Sequence, residues 1–211
     1  MLRSFRLPRV YPITDTQISG LSHAEQVALF ADGGATLVQL RDKHATAAEL
    51  YEQAKAALAV ANPRGVQLII NDRVDVALAL PGTGVHLGQD DLPPEAARRL
   101  LGDDAIIGCS THSLTQIQEA ATLPVDYLAF GPIFRTSTKE NPDPVVGLGT
   151  LKLAREALGE KPLVGIGGIS LANAPEVIAA GADSVALIRA LLSDPASIPE
   201  TLRQLSSGPR P

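Results

Sequence analysis

The chain contains no tryptophan and only 3 % aromatic residues. Its core must therefore be filled by small and aliphatic side chains, and the aromatic platforms that stack single-stranded nucleic acid are scarce. A single cysteine, Cys109, excludes an intrachain disulfide framework and suits a reducing compartment. No stretch approaches the ~18 uninterrupted apolar residues of a membrane span. The basic residues Arg3 and Arg6 lead into Pro8 and Pro12 rather than into the apolar segment of a secretory leader. Nor is there an excess of positive charge. With 18 basic and 23 acidic residues the net charge is −5, which argues against a general nucleic-acid or membrane-surface binder but is compatible with a local positive pocket. The expected location is the cytoplasm.

What is present is a repeating alternation. At 211 residues, with 45 % apolar and 19 % charged residues, the chain suits one globular core, and 1–211 reads as a single domain with a frayed tail at 206–211. Eight short β-branched or aliphatic runs fall at 10–14, 36–41, 67–71, 84–88, 105–110, 127–131, 162–167 and 184–188. Longer Ala- and Leu-rich runs follow them. The run 45–61, for instance, puts Leu50, Ala54, Ala57, Leu58 and Ala61 on one stripe. Ser22, Asp72, Ser113 and Ser170 read as helix N-caps, and Gly33-Gly34, Gly82 and Gly181 as helix ends. Strands alternating with helices imply parallel pairing through right-handed crossovers, and eight units predict an α/β fold closed as a (β/α)8 TIM barrel. The rival is an open doubly wound sheet. That fold usually carries a glycine-rich loop after the first strand, where this chain has Asp15-Thr16-Gln17.

In such a barrel, chemistry belongs to the C-terminal strand ends and the loops after them. The second strand runs out through Gln39-Leu40-Arg41-Asp42-Lys43, and its alternation turns Gln39, Arg41 and Lys43 to one side, Val38 and Leu40 to the other. An arginine that forks onto phosphate oxygens and a lysine acting as a point charge would then face the mouth together; otherwise they are surface cations. The third and fourth strands deliver Asn71-Asp72 and Gln89-Asp90-Asp91. Two carboxylates beside two cations suit a magnesium ion completed by water and substrate phosphate. The alternative is that Asp72 caps a helix and Asp91 lies in a turn before Pro93-Pro94. Ser110, at the end of the fifth strand, could donate to a phosphate or a heterocycle, but no triad spacing marks it as a nucleophile. His112 reads as loop packing before general base, His86 as structural and Cys109 as a buried hydrophobe. The long stretch 131–142 after the sixth strand suggests a lid carrying ligands, with Lys139 and its hydroxyls able to close over a phosphate. Gly167-Gly168 after the seventh strand and Ile188-Arg189 after the eighth sit where backbone N–H groups commonly hold phosphate.

With these residues in order, the sequence resembles the thiamine-phosphate synthase family. The resemblance runs from Tyr11-Pro12-Ile13-Thr14-Asp15 through Gln39-Leu40-Arg41-Asp42-Lys43, Asn71-Asp72, Gly88-Gln89-Asp90-Asp91 and Gly108-Cys109-Ser110-Thr111-His112. It continues through Gly131-Pro132-Ile133-Phe134, Thr136-Ser137-Thr138-Lys139 and Gly165-Ile166-Gly167-Gly168-Ile169. It implies a transferase of thiamine biosynthesis that condenses a hydroxymethylpyrimidine diphosphate with a thiazole phosphate, releasing pyrophosphate. Carried over, Gln39, Leu40, Arg41, Asp42, Lys43, Asn71, Ser110 and Lys139 would hold the pyrimidine diphosphate, with Arg41, Lys43, Ser110 and Lys139 taking part in catalysis. Asp72 and Asp91 would bind one Mg2+, leaving Asp90 outside the ligand set. Thr136, Ser137, Thr138, Gly168, Ile188 and Arg189 would surround the thiazole phosphate. Two positions depart from the family pattern: Arg135 stands where proline is frequent and Arg189 where a small residue is common. The implied partners are small phosphorylated molecules, with no nucleic acid or membrane, and a homo-oligomer is left open. The rivals are a thiazole tautomerase, which needs no pair of metal-binding acids, and a barrel that binds a phosphometabolite without catalysis.

Overall fold

The structure, a computed structural model, describes residues 5–136 and 143–207. Eight strands appear in it: β1 (Val10–Pro12), β2 (Leu37–Leu40), β3 (Gln67–Asn71), β4 (Gly84–Leu87), β5 (Ile107–Thr111), β6 (Tyr127–Phe130), β7 (Leu163–Gly165) and β8 (Ser184–Leu187). Between and after them run α1 (Thr16–Ser19), α2 (His23–Asp32), α3 (Ala47–Ala61), α4 (Val74–Ala79), α5 (Pro94–Leu101), α6 (Leu114–Ala120), α7 (Gly147–Leu158), α8 (Ala174–Ala179), α9 (Arg189–Leu192) and α10 (Ile198–Ser206). All strand pairs are parallel, in the order β1-β8-β7-β6-β5-β4-β3-β2. The two ends of that sheet meet at a bridge between Ile13 and Gln39, and Thr14 N–H donates to the Gln39 carbonyl at 2.9 Å. The sheet is thus a TIM barrel, and the open-sheet alternative is excluded.

Strand alternation sorts the core into two layers. Val38, Leu40, Leu68, Ile70, Leu128 and Phe130 face outward and pack against the helices. Tyr11, Ile13, Leu37, Ile69, Tyr127 and Val164 fill the barrel itself. Helix α3 shows how the outer layer is built. Thr46 caps it with a full capping box to Glu49, and Leu50, Ala54, Ala57 and Ala61 are buried on one stripe. Leu58, at the stripe's margin, is only half-buried.

Several local readings need correction. The fifth strand begins at Ile107 rather than at 105, because Arg98 ties the preceding turn through the carbonyls of Gly102 (3.0 Å) and Ala105 (2.7 Å). The seventh ends at Gly165, since Gly167 and Gly168 adopt φ values of 94° and 64°, which no strand accommodates. Ser22 and Ser113 are N-caps as expected. Asp72 is not: Arg73 stands at the cap position of α4, and Asp72 turns the chain at φ 63°. Ser170 precedes the cap position of its helix by three residues. Asn173 is the cap of α8, and the Ser170 N–H donates to Asn173 Oδ1 at 2.7 Å. The helix α10 extends through Ser206, the first residue of the expected tail, and residues 208–211 lie outside the described residues.

At the opposite end from the strand termini, two aspartates fasten neighbouring units in the same way. Asp126 Oδ2 accepts from Ile107 N–H (2.8 Å) and the Arg98 guanidinium (2.9 Å). Asp183 Oδ2 accepts from Leu163 N–H (2.8 Å) and Arg155 (2.8 Å). Each carboxylate joins the entrance of one strand to that of the next, leaving the other rim of the barrel free to carry chemistry.

Candidate active site

The C-terminal ends of β2, β3 and β4 form a charged rim. Lys43, three residues past β2, reaches across to Asp72 with Nζ 2.5 Å from Oδ2. Asp72 owes its direction to an unusual backbone. Among the described residues it is the single non-glycine with positive φ, and its N–H donates to the His86 carbonyl at 2.8 Å. Aspartate tolerates the left-handed region better than most residues, yet such geometry costs free energy and tends to occur where a side chain must point one way. The turn thus aims the carboxylate at the mouth instead of along the helix.

Asp91 faces the same point. Its Oδ2 accepts the Gly88 N–H at 2.7 Å, so the β4 loop folds back on itself. Burial, above all, pushes the Asp91 carboxyl above the usual carboxylate range, and the neighbouring Asp72 adds to the shift. The Gly88 N–H and the Lys43 ammonium act against it. Asp90 is exposed, as expected of an acid outside the ligand set.

Whether these residues suit a divalent cation can be judged from their chemistry. Two carboxylates converge beside one lysine, and among the described residues no group of three or more His, Cys, Asp and Glu side chains is assembled to enclose a metal. That donor set does not suit a closed zinc or calcium cage. It does suit magnesium, which keeps several waters and leans on one or two carboxylates and substrate phosphates.

The loop 41–45 that carries the cations is itself anchored. Asp42 does not face the mouth. Its Oδ1 accepts from His44 N–H (2.9 Å) and Ala45 N–H (3.1 Å), and its Oδ2 lies 3.8 Å from His23 Nε2. Burial works against its charge, but those N–H groups, His23 and Gln53 outweigh it and hold the carboxyl below its ordinary range. Thr14 Oγ1 accepts the Arg41 N–H (3.2 Å) and bonds His23 Nδ1 (2.7 Å). Arg41 is half-buried and Lys43 exposed. Leu40 is fully buried against the helices, so only its backbone can face a ligand.

Gln39 is 3 % exposed, and its Nε2 donates inward to the Tyr11 hydroxyl at 3.1 Å. On the far side, Ser110 Oγ lies 2.8 Å from His86 Nε2. His86 Nδ1 meets the Tyr127 hydroxyl (3.0 Å), not a carboxylate. A serine nucleophile needs a base oriented by an acid, so the contacts of Ser110 are not those of a triad. Burial holds His86 down to about 4, keeping it neutral. Asn71, half-buried, ends β3 opposite His86 in the register. Gln89 Nε2 donates to the Ser110 carbonyl at 2.6 Å and ties the β4 loop to β5. Cys109 is buried in the outer core and pushed up to about 11 by that burial. His112 packs between loops, with Nδ1 2.7 Å from the Gly131 carbonyl and 3.6 Å from Asp143.

The loops after β6 and β7 form the other half of the rim. Ile133 N–H donates to the Ile166 carbonyl (2.9 Å) and Phe134 N–H to that of Gly167 (3.0 Å). A Cβ at Gly168 would strike the Arg135 carbonyl, so this close approach needs glycine. Thr136 is half-buried at the end of that segment. Ile188 stands at the cap position of α9, and Arg189 opens the helix with its side chain exposed. Ser137, Thr138 and Lys139 lie outside the described residues.

Sequence reasoning passed over Tyr11, Tyr127, His23 and Gln89 as site components. The first two were visible in principle, since alternation puts both on the inner face of their strands beside Ile13 and Ala129. The contacts of His23 and Gln89 cross between elements and leave no local signal.

Comparison with known proteins agrees with this architecture. The family described as thiamine monophosphate synthase matches residues 10–191. The thiamine-phosphate synthase of Koribacter versatilis (strain Ellin345) is 48 % identical over 204 residues, covering 92 % of this chain and 94 % of that protein. That of Chloroflexus aurantiacus is 44 % identical over 186 residues, covering 88 % and 85 %. Among solved structures, thiamine phosphate pyrophosphorylase from Pyrococcus furiosus superposes with a TM-score of 0.82 at 35 % identity, covering 93 % of each chain. No helix among the described residues is long and apolar enough to cross a membrane. By fold, sequence and the arrangement of its strand ends, the chain belongs to the thiamine monophosphate synthase family, a transferase of thiamine biosynthesis.

Proposed function

We propose that this barrel condenses 4-amino-2-methyl-5-hydroxymethylpyrimidine diphosphate with 4-methyl-5-(2-phosphoethyl)thiazole, giving thiamine phosphate and pyrophosphate, or with the carboxylated thiazole, which in addition loses CO2. The observation that supports it most is the meeting of Lys43, Asp72 and Asp91 at the ends of three adjacent strands, with Gln39 on β2 and Ser110 on β5 turned inward. In this reading Asp72 and Asp91 hold one magnesium ion, which supplies charge neutralisation for the departing diphosphate. Arg41, Lys43 and Lys139 bind the diphosphate oxygens and carry the charge that develops as the C–O bond breaks. The electron pair leaves with pyrophosphate, and the pyrimidine methylene is left as a carbocation.

The thiazole nitrogen then supplies the pair for the new C–N bond. Neither step calls for a general base of high strength, which accords with a serine that lacks a triad and a histidine kept neutral. Gln39, Asn71 and Ser110 orient the pyrimidine. Thr136, Ser137 and Thr138, with backbone at Gly168, Ile188 and Arg189, hold the phosphate of the thiazole. The Ser170 N–H is engaged by Asn173 Oδ1, so that phosphate is received by the Gly167-Gly168 turn and not by a helix start at Ser170. The side chain of Arg189 is exposed and its carbonyl accepts from Ser193 N–H (3.1 Å) and Oγ (2.8 Å), so in this reading its contribution is the backbone N–H. Incubation with both substrates and Mg2+ tests the reading directly: pyrophosphate and thiamine phosphate should appear in equal amounts. A protein that releases no pyrophosphate under these conditions does something else.

A further inference from the structure

Five side chains from five strands are joined in one line of hydrogen bonds inside the barrel. Gln39 Nε2 reaches the Tyr11 hydroxyl (3.1 Å), Tyr11 the Tyr127 hydroxyl (2.8 Å), Tyr127 the His86 Nδ1 (3.0 Å), and His86 Nε2 the Ser110 Oγ (2.8 Å). Gln39, Tyr11, His86 and Tyr127 are each at most 5 % exposed. The line therefore runs through the buried interior, from Gln39 within the barrel to the half-buried Ser110 at the end of β5.

Counting hydrogens gives the line a direction. An amide nitrogen only donates, so the Tyr11 oxygen accepts from Gln39. If Tyr11 then donates to Tyr127 and Tyr127 to His86 Nδ1, the imidazole carries its hydrogen on Nε2 and donates to Ser110. Every hydrogen along the line is then used. In the reverse order from Tyr127 onward, the Tyr11 oxygen receives two donors while its own hydrogen has no acceptor, a costly arrangement in a buried site. The rings are also held from the sides. Tyr127 meets Tyr11 edge to face at 5.7 Å and stacks on His86 at 5.5 Å, and any Cβ at Gly108 would collide with the Tyr127 ring.

We infer that Tyr11, Tyr127 and His86 are positioning residues that order this line from Gln39 to Ser110, so that Ser110 meets the substrate as a hydrogen-bond donor and Gln39 presents its Oε1 as an acceptor. A ligand matched to that pair offers a donor opposite Gln39 and an acceptor opposite Ser110, as an aminopyrimidine ring does. The inference rests on the reading that the pyrimidine lies between these two residues.

The tautomer of His86 tests it without any substrate. In the 15N-histidine-labelled protein, the ring signals lost in His86→Gln identify this residue among the four histidines. They should show a protonated Nε2 and a lone pair on Nδ1; a protonated Nδ1 in the free wild type overturns the ordering. In Tyr127→Phe the tautomer should become mixed. The KM for the pyrimidine diphosphate should rise about 3–10-fold, the equivalent of one neutral hydrogen bond, with the KM for the thiazole phosphate unchanged. That rise should be smaller in a Ser110→Ala background than in the wild type, and an equal rise in both would show that Tyr127 does not act through Ser110. A wild-type protein that fails to turn over the pyrimidine diphosphate refutes the proposed reaction instead, and the tautomer still decides the ordering.

Discussion

Replacing Asp72 by glycine and, separately, by alanine divides what this residue does for the fold from what it does for the reaction. At φ 63° an ordinary L side chain costs about 1–2 kcal/mol relative to the right-handed region, and glycine is free of that cost. Glycine in turn loses about 0.4–1 kcal/mol through the greater freedom of its unfolded chain. Both variants forfeit the Lys43 ion pair, in which the lysine side chain is 47 % exposed and the aspartate 20 %; such pairs contribute roughly 0.2–1 kcal/mol. That loss cancels in the comparison. Asp72→Gly should therefore be more stable than Asp72→Ala by about 0–1.6 kcal/mol, centred on about 0.8 kcal/mol, or up to roughly 6 °C in Tm for a chain of this length. Urea unfolding of the two proteins measures the difference. Both should lose at least about 10²-fold in turnover, since each removes the same carboxylate. An alanine variant more stable than the glycine variant would mean that strain at this turn is smaller than the unfolded-state cost of glycine. Substantial activity in either would remove Asp72 from the metal site.

Lys139→Ala should lower kcat by about 10²–10³-fold with a smaller effect on thiazole phosphate binding, because its charge is needed as pyrophosphate departs; steady-state kinetics with each substrate varied will show it. Gly168→Ala should act on the other substrate. A Cβ there collides with the Arg135 carbonyl, so the KM for the thiazole phosphate should rise while Mg2+-dependent pyrophosphate binding persists. Asp126→Ala removes the acceptor of Ile107 N–H and of Arg98 at the far end of the barrel. It should cost about 1–3 kcal/mol in urea unfolding with kcat/KM unchanged.

The barrel was legible in the sequence because it depends on periodicity. Strands and helices announce themselves through local spacing, and Gln67–Asn71 was bounded correctly by its run of aliphatic residues. Local reasoning failed where a distant group decides the outcome. The start of β5 is set by Arg98, held in turn by Asp126 from the next unit. The backbone of Asp72 turns into the left-handed region where a helix cap was expected, its N–H drawn to the His86 carbonyl of β4. The same holds for the site. Alternation alone brought Gln39, Arg41 and Lys43 to the mouth, and it also predicts that Leu40 is buried away from it. It did not reveal that Asp42 turns back toward its own loop and His23, or that two tyrosines and a histidine link Gln39 to Ser110. Those are contacts between strands, and no single stretch of sequence encodes them.

The central claim is that one rim of the barrel is divided: a magnesium diphosphate is held by β2 to β5 and Lys139, a monophosphate by the loops after β6, β7 and β8. Calorimetric titration of the wild type and Asp91→Ala with pyrophosphate, with and without Mg2+, and with the thiazole phosphate addresses it most directly. The account predicts Mg2+-dependent pyrophosphate binding that disappears in the variant, and thiazole phosphate affinity that stays within about twofold, as expected for independent sites. Parallel loss of both ligands, or pyrophosphate binding indifferent to Mg2+, would contradict it.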